Sequence, residues 1–137
     1  MQTKPATEFI KISPKDTSVY QPAGHEDTFN RRLIGSNSGA RFVEVILGEM
    51  GSNGTADAHA HEGFEQILYM LDGTLKIISK DRIEWLEPGD LGFIPAGVTH
   101  QVLCQSKRAK FIVIYAPPRE QLIESSSSDQ LPMASGE

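Results

Sequence analysis

The chain has 137 residues, enough for one domain whose core is stable without disulfides. Its net charge of −5 and pI near 5.3 argue against a nucleic-acid partner, which would require a clustered basic surface. No stretch approaches the roughly 18 apolar residues of a membrane span, the N-terminus lacks an apolar signal segment, and Cys104 is the single cysteine. We therefore expect a cytoplasmic protein with neither a nucleic-acid nor a membrane partner.

The two ends of the chain differ in composition from its middle. Residues 1–8 are polar, and residues 124–137 are rich in serine with few large apolar groups, so both ends are expected to be flexible. Residues 9–118 are predicted to form one β domain. Residues 119–137 are predicted to begin with a short helix and to continue into the serine-rich tail.

The middle of the chain is a succession of short runs rich in β-branched and aromatic residues, each bounded by turn signals. Asp72-Gly73 predicts a two-residue hairpin turn, and Pro88-Gly89 predicts the centre of a type II turn. Many short strands without a long helical period indicate an all-β barrel or sandwich. The runs are RFVEVILGEM, EQILYML, LKIIS, IEWL, LGFIP, HQVLC and KFIVIYAP.

Three of the four histidines are placed so that they can converge. His59 and His61 are two residues apart, so on a strand their side chains point to the same face. His100 follows a Pro-Ala-Gly turn in a distant run. If the shared face lines a barrel, the three imidazoles predict a site for a divalent transition metal such as zinc, iron or nickel, or manganese when oxygen ligands complete the site. His25 lies in a loop-like stretch and is expected to be exposed.

These residues resemble the two motifs of the cupin superfamily. The second motif is matched by Gly89, five residues, Pro95-Ala96-Gly97, two residues and His100, until Cys104 stands where the family has asparagine. The resemblance covers residues 40–116 and implies the family's fold, a double-stranded β-helix or jelly-roll-like cupin barrel with the metal inside.

The first motif resembles the family's at His59, His61 and the closing Gly73, but it leaves two candidates for the fourth ligand. The family's spacing to the glycine indicates Gln66, whereas counting three residues forward from His61 indicates Glu65. The two residues point to opposite faces of a regular strand, so only one can coordinate. We favour Gln66, because the apolar alternation after it and its distance to the glycine agree with the family pattern.

A neutral ligand set has consequences for the expected chemistry. With three imidazoles and an amide oxygen, a divalent ion keeps its full charge, which favours Lewis-acid chemistry over cycling to a trivalent state. We therefore expect a metal-dependent lyase or isomerase acting on a small polar, carboxylate or sugar-like substrate. A non-catalytic cupin that binds a small ligand, and an iron dioxygenase, are the alternatives. The metal remains open among Mn, Fe, Ni and Zn.

A general acid or base near the metal would distinguish an enzyme from a binding protein, and four side chains are candidates for this role. Tyr69 lies three residues after Gln66, so on a regular strand its side chain should point to the opposite, outer face. Tyr115 could lie inside the barrel on the last strand. Glu44 could act as an acid or base, and Arg41 could bind a carboxylate through two of its guanidinium nitrogens.

The edges of an open β-sandwich must be covered, which bears on oligomerisation. Small single-barrel cupins are usually dimers that exchange or pair edge strands, so the resemblance implies a homodimer. The N-terminal segment EFIKIS, residues 8–13, has the alternation of such a strand. Cys104 shares parity with His100 and is expected to be a small buried hydrophobic residue.

Overall fold

The structure is a computed structural model and describes residues 4–119. Strands account for most of its regular structure, together with two short 3-10 turns at Pro14–Asp16 and Ser36–Ser38. The strands are β1 (Val19–Tyr20), β2 (His25–Ile34), β3 (Glu44–His59), β4 (Glu65–Asp72), β5 (Leu75–Ser79), β6 (Arg82–Leu86), β7 (Leu91–Ile94), β8 (His100–Cys104) and β9 (Arg108–Ala116).

The strands pair in the antiparallel order β6-β5-β8-β3-β9-β4-β7, and β2 joins β1 to β3. The long strand β3 changes partner along its length: residues 44–51 pair with β9, and residues 55–59 pair with β8. The strand therefore belongs to two layers, and the layers face each other across a common core. This arrangement confirms the predicted all-β fold, a double-stranded β-helix of the jelly-roll type.

The core lies between the two layers because alternate side chains of each strand point inward. Along β9 the buried residues are Ala109, Phe111, Val113 and Tyr115, in strict alternation with more exposed ones. Cys104 joins this core at 7% exposure, as expected from its parity with His100.

The turn at Asp72-Gly73 does not close a hairpin, so this prediction is wrong. Strand β4 pairs with β7 and β9, whereas β5 pairs with β6 and β8, and the connection crosses from one layer to the other. Gly73 has φ +79°, and a Cβ added there would lie 2.1 Å from the carbonyl oxygen of Arg108. An Asp-Gly pair indicates a positive φ, but it does not determine whether the flanking strands pair.

The turn at Pro88-Gly89 has the predicted conformation. The Asp90 amide donates to the Glu87 carbonyl at 2.8 Å, and Gly89 has the positive φ, +93°, that a type II turn needs at its third position. This turn also connects the two layers, since β6 and β7 do not pair with each other in the described chain.

Several predicted element boundaries differ from the structure. Strand β3 starts at Glu44 rather than residue 41, and β1 and β2 were not predicted. His25 begins β2 and is half-buried, so its predicted place in an exposed loop is wrong. The sequence of β2, HEDTFNRRLI, is polar and gives no strand signal. The strand forms because it pairs with the long strand β3.

Residues 8–13 form no strand within the single chain, and their pairing with a second copy stays a prediction.

The predicted division of the chain into residues 1–8, 9–118 and 119–137 also stays a prediction. The expected short helix and serine-rich tail lie outside the described residues except for Arg119. Among residues 4–119, no helix has the length and apolar character needed to span a membrane.

We predict that Gly73→Ala destabilises the protein more than Gly89→Ala. Both glycines have positive φ, where another residue costs about 1–2 kcal/mol, but only Gly73 has backbone atoms in contact with the added methyl group. The Gly73 variant should lose roughly 1–3 kcal/mol more because its neighbours must shift. Urea unfolding of both variants measures this difference, and equal losses would contradict it.

Candidate metal centre

Three histidines meet at one end of the barrel. His59 ends β3 and pairs in register with His100, the first residue of β8, and His61 follows two residues after the end of β3. One ring nitrogen from each of the three lies within 4.8 Å of the others. The ring centroids of His59 and His100 are 4.4 Å apart, and those of His59 and His61 are 4.7 Å apart. The structure therefore brings together the three histidines that the sequence singled out.

Backbone carbonyls orient two of these rings. Nδ1 of His100 lies 3.0 Å from the Val98 carbonyl oxygen, and Nδ1 of His59 is hydrogen-bonded to the Asp57 carbonyl oxygen. A ring that donates its Nδ1 proton to a carbonyl leaves Nε2 as a bare acceptor, which is the arrangement typical of histidine metal ligands.

Four buried acceptor atoms near this end of the barrel lack hydrogen-bond partners within the described residues. They are Nε2 of His61, Nε2 of His100, Oε1 of Gln66 and, on the wall of the cavity beside them, Oδ1 of Asn30. Buried polar atoms are nearly always satisfied in folded proteins, and an unsatisfied one costs about 1–3 kcal/mol. The atoms on His61, His100 and Gln66 fit a bound cation, since each offers a lone pair and no charge.

The side chains of Gln66 and Glu65 point to opposite sides of β4. Gln66 is 6% exposed and lines the same cavity as His59 and His100, whereas Glu65 is exposed on the outer side of the strand. The expected difference in direction is present, and it places the amide rather than the carboxylate beside the histidines. Coordination by Gln66 stays a prediction.

A small cavity of about 40 Å³ adjoins His59 and His100. Strand β2 contributes Thr28 and Asn30 to its wall, and His25 also lines it with a ring centroid 6.3 Å from that of His59. Sequence reasoning missed these three residues, because β2 lacks an apolar run. The only available signal was ten consecutive residues without glycine or proline between two turns.

Burial makes all four imidazoles poor bases. It lowers the pKa of His61 to about 3, with repulsion from neighbouring histidines adding to the effect, and lowers the pKa of His25 to about 4. Burial also lowers the pKa of His59 and of His100, partly opposed by their hydrogen bonds to backbone carbonyls. The rings are therefore neutral at pH 7, which is the protonation state that binds metals.

The two tyrosine candidates for proton transfer have different environments. Tyr115 is 4% exposed and lines the small cavity, with its ring centroid 5.6 Å from that of His61. The Arg119 guanidinium lies over the Tyr115 ring, 4.7 Å from the ring centroid. Tyr69 is 40% exposed on the outer face of β4, as its parity predicted, and it does not line the cavity.

The other two candidates have surroundings of their own. Glu44 is fully buried and accepts a hydrogen bond from Arg32 Nε at 2.9 Å and others from the Arg119 backbone and guanidinium at 2.9 and 3.2 Å. This ion-pair cluster ties the start of β3 to β2 and to the end of the described chain. Arg41 lies in the exposed bend before β3, over the ring of Phe42, and not on the strand where it was expected.

The cupin-domain family profile matches residues 46–115, more than half of the chain. The chain belongs to the cupin family, as its motifs and its barrel both indicate. The search of curated proteins found no match.

Solved cupin structures are similar in fold. The polyketide cyclase RemF from Streptomyces resistomycificus is 26% identical, with TM-score 0.71 and 80% of each chain covered. KdgF from Halomonas sp. is 15% identical, with TM-score 0.69, covering 81% of this chain and 97% of its own. An RmlC-like cupin from Shewanella frigidimarina is 20% identical, with TM-score 0.69, covering 90% of this chain and all of its own.

We predict that the stability of the chelator-treated protein falls as the pH drops from 6.5 towards 4, and that His61→Leu reduces this dependence. The pKa of His61 is lower in the folded state than its ordinary value of 6.5, so the unfolded chain binds more protons in this window. The stability contribution is complete above pH 6.5 and is lost below it. Thermal unfolding of both proteins across this range measures the effect, and parallel curves would contradict it.

Proposed function

We propose that the protein is a metal-dependent cupin lyase or isomerase in which His59, His61, Gln66 and His100 hold one divalent transition ion, Mn, Fe, Ni or Zn. The observation that carries this proposal is the group of unsatisfied acceptor atoms on His61, His100 and Gln66. The spacing of the three histidines, with one nitrogen of each within 4.8 Å of the others, supports it.

When bound, a divalent ion supplies Lewis-acid polarisation of a carbonyl, carboxylate or hydroxyl oxygen. The chain's own residues supply the rest. Neutral imidazoles and an amide leave the positive charge uncompensated, so an oxygen-bearing substrate is favoured. Thr28 and Asn30 offer hydrogen-bonding groups at the cavity wall, and Tyr115 is the one of the four expected acid–base candidates that lines the cavity. We assign Tyr115 the role of moving a proton to or from the substrate.

The substrate class follows from the polar atoms around the cavity. We propose a small polar, carboxylate or sugar-like molecule that presents an oxygen to the site. The neighbour with 26% identity is a polyketide cyclase, and this supports a reaction that rearranges or closes a carbon skeleton. The cytoplasmic location expected from the sequence stays a prediction.

Two alternatives rest on specific observations. A non-catalytic ligand-binding cupin is favoured by the engagement of Glu44 in an ion-pair cluster, which withdraws this carboxylate from acid–base work. An iron dioxygenase is less favoured, because an amide in place of a carboxylate stabilises a trivalent ion less well. Oxygen uptake by the iron-loaded protein would favour the dioxygenase, and turnover in anaerobic buffer would favour the lyase or isomerase.

We predict that protein purified without added metal or chelator carries one equivalent of a transition metal, and that His59→Ala and His100→Ala lose it. Each variant removes one nitrogen from the site and leaves the remaining ligands too few to hold the ion. His25→Ala is the matched control, because His25 lines the same cavity outside the triad, and it should retain the metal. Elemental analysis of the four proteins makes the measurement.

The same experiment tests the fourth ligand. Gln66→Leu should weaken metal binding by at least about tenfold, or 1.4 kcal/mol, whereas Glu65→Leu should leave it unchanged. Absence of metal from the wild type, with none retained after incubation with manganese, iron, nickel or zinc, would overturn the metalloenzyme proposal. Loss of metal in Glu65→Leu alone would reverse the assignment of the fourth ligand.

We further propose that the partner of the chain is a second copy, which covers the outer face of β4, β7 and β9. Strand β4 carries apolar residues on both faces, with Ile67, Tyr69 and Leu71 outward, and Tyr69 and Leu71 are 40% and 43% exposed. Tyr69 pairs directly with Leu91 of β7, which is 56% exposed. Strands that are apolar on both faces are usually covered on both.

We predict that the wild type elutes as a dimer of the 15.1 kDa chain and that Tyr69→Glu elutes as a monomer. The added charge would be buried without a partner in the proposed interface. Trp85→Glu is the matched control, since Trp85 is an aromatic residue with 50% exposure on β6 and should leave the dimer intact. Size-exclusion chromatography with light scattering tests this, and a monomeric wild type would contradict it.

A further inference from the structure

A second and larger cleft lies between the two end strands of the sheet. Strands β6 and β7 end the strand order, and they do not pair with each other in the described chain. Residues from both strands line one cleft of about 500 Å³. Pockets of roughly 300–1,000 Å³ are typical of small-molecule sites. The cleft therefore has the volume of a ligand site, and it is much larger than the cavity of about 40 Å³ beside the histidines.

The inner wall of the cleft is apolar. Ile77 of β5 and Leu86 of β6 face Ile94 of β7 across it, with Val98 beside them. Gly92 also lines the cleft, and a Cβ added there would lie 3.3 Å from Leu86 Cδ1. Since a side chain at this position would project towards Leu86, the glycine keeps the space between the two strands open. An apolar ring or acyl chain could fill this space.

The rim of the cleft is charged but has no net charge. It carries Lys80, Asp81, Arg82 and Glu84, two positive and two negative groups, and Arg82 and Glu84 form an ion pair with each other. Paired charges of this kind offer little attraction to an ion, but they supply hydrogen-bond donors and acceptors. The rim therefore suits an uncharged molecule with a polar group. Charged side chains that point inward on an edge strand also hinder pairing with a strand of another chain. An added β-strand is therefore a poor occupant of the cleft.

The cleft is adjacent to the candidate metal centre. Leu68 and His100 line both the cleft and the small cavity, so these two side chains form a shared wall. A molecule in the cleft would therefore border His100, one of the three histidines. The apolar wall of the cleft belongs to other residues, so its ligand does not require a bound metal.

We propose that this cleft binds an uncharged small molecule that has an apolar ring or acyl body and a hydroxyl or carbonyl group. The apolar body packs between Ile77, Leu86 and Ile94, and the polar group lies at the charged rim. This is a second site beside the proposed metal centre, and it goes beyond the proposed function.

The test uses the neutral fluorescent probe N-phenyl-1-naphthylamine and the full-length protein treated with EDTA. We expect one probe to bind per chain. Ile77→Trp places a large side chain in the cleft and should weaken binding by at least about tenfold. Ile78→Trp is the matched control, because Ile78 is the next residue on the opposite face of β5 and does not line the cleft, and it should bind as the wild type does.

Circular dichroism checks that each variant is folded, and Val98→Trp is the second filling variant if Ile77→Trp is not. Absence of probe binding to the wild type, or equal binding by the filling and control variants, would overturn the proposal. Tighter binding of the anionic probe anilinonaphthalene sulfonate than of the neutral probe would overturn the assignment of an uncharged ligand. Because EDTA is present, failure of the metal proposal would leave these results unchanged.

Discussion

The antiparallel pairing of β3 with three different strands is the constraint on which the rest of the structure depends. Residues 44–51 of β3 hydrogen-bond to β9, and residues 55–59 hydrogen-bond to β8, while β2 follows the other edge. This change of partner joins the two layers and places His59 opposite His100. The histidine cluster is thus a consequence of backbone register, since a slip of one residue would turn the side chains to the other face.

The histidine cluster is costly for the apoprotein. Neutral imidazoles close together in a partly buried site give up hydration, and the unsatisfied atoms on His61, His100 and Gln66 receive no compensating bond within residues 4–119. A bound cation would offset this cost, which couples folding to metal binding. The backbone carbonyls at Asp57 and Val98 hold two rings in the orientation needed for this.

The open edge between β6 and β7 and the apolar outer face of β4 and β9 have a common origin. A jelly roll made from short strands buries one face of each layer and leaves its end strands without partners. The paired charges of Arg82 and Glu84 protect one of these edges, and the glycine at position 92 keeps the gap open. The sequence of β4 is a continuous apolar run because Ile67 and Tyr69, which point outward, are as apolar as the residues between them.

The sequence alone determined those features that depend only on residues close together in the chain. Strand periodicity predicted the all-β fold, the positive φ of Gly89 followed from its turn, and side-chain parity separated Gln66 from Glu65 and placed Tyr69 on the outer face. Tertiary structure decided which strands pair. The crossing at Gly73, the strand that begins at His25 and the ion-pair cluster around Glu44 depend on partners distant in sequence. Short-range patterns carry no information on those partners, because the pairing energy comes from strands that meet only after the chain has folded.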